Sequence, residues 1–251
     1  MPTPSPSRNA SSRYESLDTL RGAAIVWMTL FHFSFDLNHF GYIKADFYAD
    51  PFWTGQRSAI VSLFLFCAGL GQAVAVQQGQ SWSRFGRRWG QVALAALLVS
   101  VGSFAMYPQS FIYFGVLHGL ALMLIVARLT ARCGVWLWPM GAVALMLPWA
   151  AAYLHAGWPG AEVLNAPVLN WLGLISRKPI TEDYVPLLPW LGVMWWGLAA
   201  GAWVLKSRPR WLARPVAPSM RPLAVLGRWS LSYYLLHQPL LMSVLVMINR
   251  V

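Results

Sequence analysis

Three observations predict an all-α, polytopic bundle of about seven membrane-spanning helices. The chain is 57% hydrophobic and only 11% charged over 251 residues, against roughly 45–50% and 25% in soluble globular proteins. Apolar stretches of about 20 residues, the length that crosses a bilayer, recur at 22–41, 58–77, 89–106, 111–129, 134–154, 187–205 and 225–247. The third observation is an uneven spread of charge. With the N-terminus inside and the C-terminus outside, fourteen of the nineteen basic residues fall on inner segments, from Arg8 to Arg228, and five fall outside: Lys44, Arg57, Arg177, Lys178 and Arg250. That satisfies the positive-inside rule. Tryptophans beside segment ends (Trp53, Trp82, Trp89, Trp136, Trp158, Trp171, Trp190) fit the aromatic belts of the two headgroup layers.

Taken in order, residues 1–14 are polar and rich in proline and serine, which predicts a disordered cytoplasmic tail. Residues 15–251 then form one transmembrane domain with no internal repeat. The first span acts as its own insertion signal, since no cleavable signal peptide precedes it. On it, ten residues separate Arg21 from His32. Eleven steps of about 100° return to within about 20° of the starting face after about 16 Å of rise. The guanidinium therefore lies at the cytoplasmic surface and the imidazole near mid-membrane on one stripe, which Asp18, Asp36 and His39 extend. A carboxylate one turn from an imidazole can fix its tautomer and raise its basicity, as a general base requires. The plainer alternative is a histidine that hydrogen-bonds a neighbouring helix.

The outer loop 42–57 mixes carboxylates with aromatics, and the second span ends on FLFCAGLG (64–71). WSRFGRRWG follows, with Arg84, Arg87 and Arg88 at the start of the third span. Arginines at i and i+3 can clamp phosphates, or they simply anchor topology. The fourth span carries His118 in FGVLHGLAL. Cys67 and Cys133 lie at different depths, which argues against a disulfide. The fifth span leads into the long outer loop 155–186, whose apolar middle, 163–175, is too short to cross and lies at the interface or re-enters. DYVPLLPWLG closes it, placing Asp183, Tyr184 and Trp190 where a carboxylate and aromatic rings suit a sugar; an interfacial belt with a turn is the duller account. The basic, proline-rich segment 206–224 reads as a linker against anionic lipid headgroups. The seventh span holds His237, with Pro239 nearby to free a carbonyl.

The net charge of +11 is thus topology rather than a nucleic-acid footprint. No GxSxG elbow, P-loop, CxxC pair or HExxH motif is present. Soluble hydrolase or nucleotide-motor chemistry is unsupported, and no dedicated metal site is expected.

These landmarks resemble a known family. SLDTLRGAAIVWMTLFHFSFDL is similar to the opening helix of the transmembrane acyltransferase superfamily, whose signature is an arginine, ten residues and a histidine, and Arg84 with Arg87 resembles its second arginine motif. Together with FLFCAGLG, FGVLHGLAL, DYVPLLPWLG and LGRWSLSYYLLHQPLL, the ordered set looks most like bacterial relatives of the heparan-alpha-glucosaminide N-acetyltransferase catalytic domain. The resemblance implies a multi-pass enzyme of the bacterial inner membrane that takes acetyl or another acyl group from cytoplasmic acyl-CoA and passes it to a glycan hydroxyl or amine outside. It implies His32 as base, Arg21 as its helper, Arg84, Arg87 and Arg88 at the donor, and His39 as reserve base. His118, Asp183, Tyr184, Trp190 and His237 remain for the acceptor. The chain has fewer spans than larger members, which implies an acceptor site that is reduced, or completed by a partner protein or a second copy. Two rival readings compete: a proton-coupled transporter or permease that uses the histidines as a relay, and a haem protein with two of His32, His118 and His237 as axial ligands.

Overall fold

The computed structural model describes residues 13–249, so Arg8, Arg250 and most of the tail expected over 1–14 lie outside the described residues. Among the described residues the helices are α1 (Glu15–His39), α2 (Pro51–Gln77), α3 (Trp82–Met106), α4 (Val116–Thr130), α5 (Leu137–Gly157), α6 (Trp190–Ser207), α7 (Pro209–Ala213), α8 (Arg221–Arg228) and α9 (Ser230–Asn249). Four helical stretches are long and apolar enough to cross a membrane: Pro51–Gln77, Trp82–Met106, the joined Val116–Gly157, and Ser230–Asn249. The chain is therefore an all-helical membrane protein. α1 and α6 are of comparable length. The polar stripe of α1 and the four tryptophans of α6 lower their hydropathy.

Helix ends explain where the structure departs from the expected spans. α2 starts at 51 rather than 58 because the Asp50 side chain accepts the Phe52 N–H at 2.8 Å and Pro51 occupies the first turn, where a missing N–H costs nothing. Ser81 caps α3 in the same way, accepting from the Arg84 N–H at 3.3 Å. α4 begins five residues later than the fourth predicted span. Residues ahead of it are drawn instead into an extended pairing, with Phe114 bridged to Tyr184 and the Glu182 N–H donating to the Ser110 carbonyl at 2.9 Å. The seventh predicted span breaks at Trp229 into α8 and α9. The long loop contains two 3-10 turns, Pro159–Asn165 and Asn170–Leu172.

Close helix packing comes from small residues, as expected where no hydrophobic force drives helices together in lipid. A Cβ at Gly69 of α2 would fall on the Met194 carbonyl of α6, and one at Gly197 of α6 would fall on the Phe66 carbonyl of α2. The contact of α1 with α8 is as tight: a Cβ at Gly22 would strike the Leu223 carbonyl, and one at Gly227 the Asp18 carbonyl. Around the α2–α6 seam, Leu65, Met123, Met194 and Leu198 form the buried core.

Contacts between loops sort the molecule into two ends. At one, Ser16 donates to the Leu212 carbonyl at 2.9 Å and Arg128 donates to the Gln80 carbonyl. At the other, Tyr42 donates to Asn249 at 3.0 Å, Ser110 donates to Glu182 at 2.5 Å, and Lys178 lies 5.3 Å from the Tyr48 ring centre. The first end carries the arginines of α1, α3, α7 and α8, and is called the basic end below. Because α2 and α6 approach backbone to backbone, Gly197→Val should lower stability in detergent by about 1–3 kcal/mol, the usual cost of overpacking. Gly102→Ala, where the added methyl meets open space, should leave the thermal midpoint unchanged or slightly raised. Equal losses in both variants would show that the seam does not depend on its small residues.

Candidate active site

At the basic end one carboxylate collects three guanidinium groups. Asp18, only 1% exposed, accepts from Arg13 Nε at 2.5 Å and from Arg21 Nη1 at 3.2 Å, with Arg228 Nε 3.7 Å away. A buried carboxylate is tolerable only when it is paired in this way. The i, i+3 spacing on α1 brings Arg21 to Asp18. Gly227 lets α8 come close enough to place Arg228 beside them. Arg21 then crosses to α2, where its Nη2 lies 2.5 Å from the position a Cβ on Gly71 would take. Glycine at 71 is what lets the guanidinium pass.

Beyond Gly71 lies a cavity of about 220 Å³, with Arg21 and Arg88 as its charged groups, Gln72, Gln80 and Ser230 as its neutral polar ones, and Phe64, Phe85, Trp89 and Leu124 among its apolar walls. All three arginines at the start of α3 are exposed, but only Arg88, in its second turn and one turn beyond Arg84, lines the cavity, and Arg84 and Arg87 do not. The buried Oε1 atoms of Gln72 and Gln80 have no hydrogen-bond partner. Arg128 closes the α2–α3 turn, 5.3 Å from the Trp82 ring centre and 5.7 Å from that of Phe85. Two guanidinium groups, unused amide acceptors and an apolar throat suit a chain-bearing phosphate ligand.

Further along α1, a polar ladder joins it to α9. Thr29 and Tyr233 share a hydrogen bond of 2.9 Å, the rings of His32 and His237 lie edge to face with centres 5.1 Å apart, and Gln238 donates to Asp36 at 2.7 Å. Tyr42 and Asn249 make a further rung. The pairs ascend together, so the two helices run parallel. Asp36 and His237 are 1% and 6% exposed, His32 is half-buried, and His39 is exposed. Asp36 therefore bonds Gln238 rather than His32, and its Oδ2 has no partner. Phe31 flanks His32 with ring centres 5.8 Å apart, and Phe47 stacks on Trp53 behind Phe31. With 5.1 Å between their centres, His32 and His237 leave no room for a porphyrin between them, which removes that pair from the haem reading.

Other predicted site residues are occupied in holding the far end. Ser100 donates to the Ile112 carbonyl at 2.6 Å and contacts His118 Nε2 at 3.0 Å, while the Gly115 N–H donates to His118 Nδ1 at 3.3 Å. Both imidazole nitrogens are spent locally. Asp183 accepts the Val116 N–H at 2.7 Å and so caps α4. Burial raises its carboxyl above the ordinary value, against the pull of that hydrogen bond. Tyr184 donates to the Asn170 carbonyl at 2.6 Å, and Trp190 opens α6 against the core. Nearby, burial lowers the Lys178 ammonium, and Arg57 adds to the shift.

Sequence reasoning did not single out Gln72, Gln80, Tyr233 or Gln238. A glutamine inside an otherwise apolar span, as at 72, is a signal that could have marked the cavity. If Asp18 organises the basic end, Asp18→Ala should cost about 3–5 kcal/mol in detergent, the usual penalty for stripping a buried ion pair of one partner. Arg13→Ala, whose side chain is 55% exposed, should cost under about 1 kcal/mol. Chemical denaturation of the two variants checks this, and similar losses would mean that Asp18 is not the hub.

Residues 13–239 match the family model described as heparan-alpha-glucosaminide N-acetyltransferase, catalytic. No curated protein and no solved structure matches the chain.

Proposed function

The chain belongs to the heparan-alpha-glucosaminide N-acetyltransferase catalytic family, and from that premise we propose that it moves an acetyl or other acyl group from acyl-CoA to a glycan across a bacterial inner membrane. The family places the chemistry as acetyl transfer in a membrane enzyme. The finer reading is supported chiefly by one observation: Arg21, which lines the cavity at the basic end, and His32, beside His237, stand on one unbroken helix. With seven crossings, counting α8 with α9 as one, the positive-inside rule would put the basic end in the cytoplasm, where acyl-CoA is made.

In this reading the phosphates of the donor meet Arg21 and Arg88, with Arg84 and Arg87 adding charge at the rim. The pantetheine arm runs between Gln72 and the apolar wall, about 16 Å along α1, toward His32. A glycan hydroxyl or amine attacks the thioester carbonyl and gives its proton to His32. The carbon–sulfur bond breaks, and the leaving thiolate takes that proton back from the imidazolium, which restores His32. Asp183, Tyr184 and Trp190 shape the acceptor's approach by holding the loop ahead of α6, and Asp36 braces α9 through Gln238. His39, exposed at the end of α1, is less well placed as the base. Lipid headgroups contact the basic end, and a second copy or a partner protein completes the acceptor side.

Two measurements test this. In sealed membrane vesicles, radiolabelled acetyl-CoA should be consumed only at the face that displays the basic end, and His32→Ala should lower transfer to vesicle glycan by about 10²–10⁴. More than about a tenth of wild-type turnover would move the base to His39. Arg88→Ala should weaken acetyl-CoA binding by about 1.5–3 kcal/mol, with partial rescue by lysine. Arg87→Ala should cost less, because its side chain does not line the cavity. Unchanged affinity in the Arg88 variants would remove the cavity from donor binding.

A further inference from the structure

The proposed mechanism uses one imidazole, yet two meet in the membrane interior. His237 is 6% exposed, and its Nδ1 lies 2.7 Å from the Tyr234 backbone carbonyl. A carbonyl can only accept, so Nδ1 carries the proton, and in the neutral ring Nε2 carries a lone pair. That Nε2 is buried and has no hydrogen-bond partner. Tyr233 stacks on the ring at an interplanar angle of 11°, with its hydroxyl held by Thr29 of α1. Gln238, the next residue, is tied to Asp36 of α1. The imidazole is thus fixed in place and in tautomer, with one unused acceptor in a buried site.

Its nearest aromatic neighbour across the helix seam is His32. The two rings are not hydrogen-bonded as they stand, but a separation of 5.1 Å between ring centres lets a turn of the His32 ring bring one of its nitrogens to about 2.9 Å from Nε2. We propose that His237 is a positioning residue for His32: Nε2 of His237 accepts the His32 N–H, which leaves the other His32 nitrogen as the base facing the acceptor. When that nitrogen takes the acceptor proton, the N–H held by His237 belongs to an imidazolium, and the hydrogen bond strengthens through its charge. No net proton passes to His237, and the thiolate leaving group recovers the proton from His32. Thr29, Tyr233, Gln238 and Asp36 hold the pair in register.

This role presupposes the acyl-transfer reading, so two experiments separate them. The first is turnover of radiolabelled acetyl-CoA in membrane vesicles. His237→Leu should lower kcat by roughly 10- to 100-fold with little change in KM for acetyl-CoA, and His237→Gln, whose amide oxygen can accept the same hydrogen bond, should recover part of the loss. The second is nitrogen NMR of histidine-labelled protein in detergent. His32 should show one tautomer in the wild type and in His237→Gln, and a mixture in His237→Leu. Unchanged kcat in His237→Leu, or a loss expressed only in KM, overturns the pairing. So does a wild-type His32 already divided between tautomers, whether or not any acetyl is transferred. A wild type that shows the single tautomer but never consumes acetyl-CoA keeps the pair and overturns the acyl-transfer reading alone.

Discussion

The buried charge of Asp18 is the constraint from which much of this structure follows. A carboxylate sealed from water must be matched at once, and here the matching draws on the approach to α1, on α1 itself and on α8 through Arg13, Arg21 and Arg228. To bring Arg228 there, α8 must touch α1 at backbone distance, which only Gly22 and Gly227 allow. To leave Arg21 room beyond Asp18, α2 must lack a side chain at Gly71. A single ion-pair hub thus dictates two helix contacts and the direction in which the cavity arginine points. Arg21 is held by Asp18 while it lines the cavity, so its orientation is set before any ligand arrives, as a charged site in a low-dielectric wall needs.

From that fixed point α1 acts as a ruler. Its 25 residues run without a break, so the distance from the guanidinium to the His32 ring is set by helical rise, not by loop geometry. The ladder to α9 then fixes the rotation of α1 at the far end, since Thr29, His32 and Asp36 each meet a partner on the same neighbour. A helix held at one end by charge and along its upper half by hydrogen bonds has little freedom to rotate. Catalysis by positioning depends on that stiffness.

Legibility from sequence divides along the same line. The shared face of Arg21 and His32 is readable because helical periodicity alone sets it, and the existence of the helices is readable from apolar length. What a face meets is not. Arg84 and Arg87 satisfy a spacing rule, yet Arg88, a turn on from Arg84, is the one that lines the cavity, because only packing against α4 and α9 decides which flank of α3 is inside. The break at Trp229 and the extended stretch before α4 arise from pairings with α1 and with Tyr184, far away in sequence. Hydropathy has no means of showing them. His118 and His237 look alike as isolated histidines in spans, and only their partners tell them apart.

That last contrast sorts the buried polar groups into two kinds. Asp18 and His118 have their hydrogen-bonding capacity taken up by neighbours, and Asp183 caps a helix. Each holds helices or loops together, and each would be costly to lose even in a protein without a substrate. Gln72, Gln80, Asp36, His237 and Gln238 instead each bury an acceptor without a hydrogen-bond partner, as do His155 and Asn170 at the long loop. An unsatisfied buried acceptor costs about 1–3 kcal/mol. Gln72 and Gln80 share the cavity with Arg21 and Arg88, and His237 faces His32. Apart from those of His155 and Asn170, the unused acceptors fall at the two points where an acyl donor would have to be held and a proton moved.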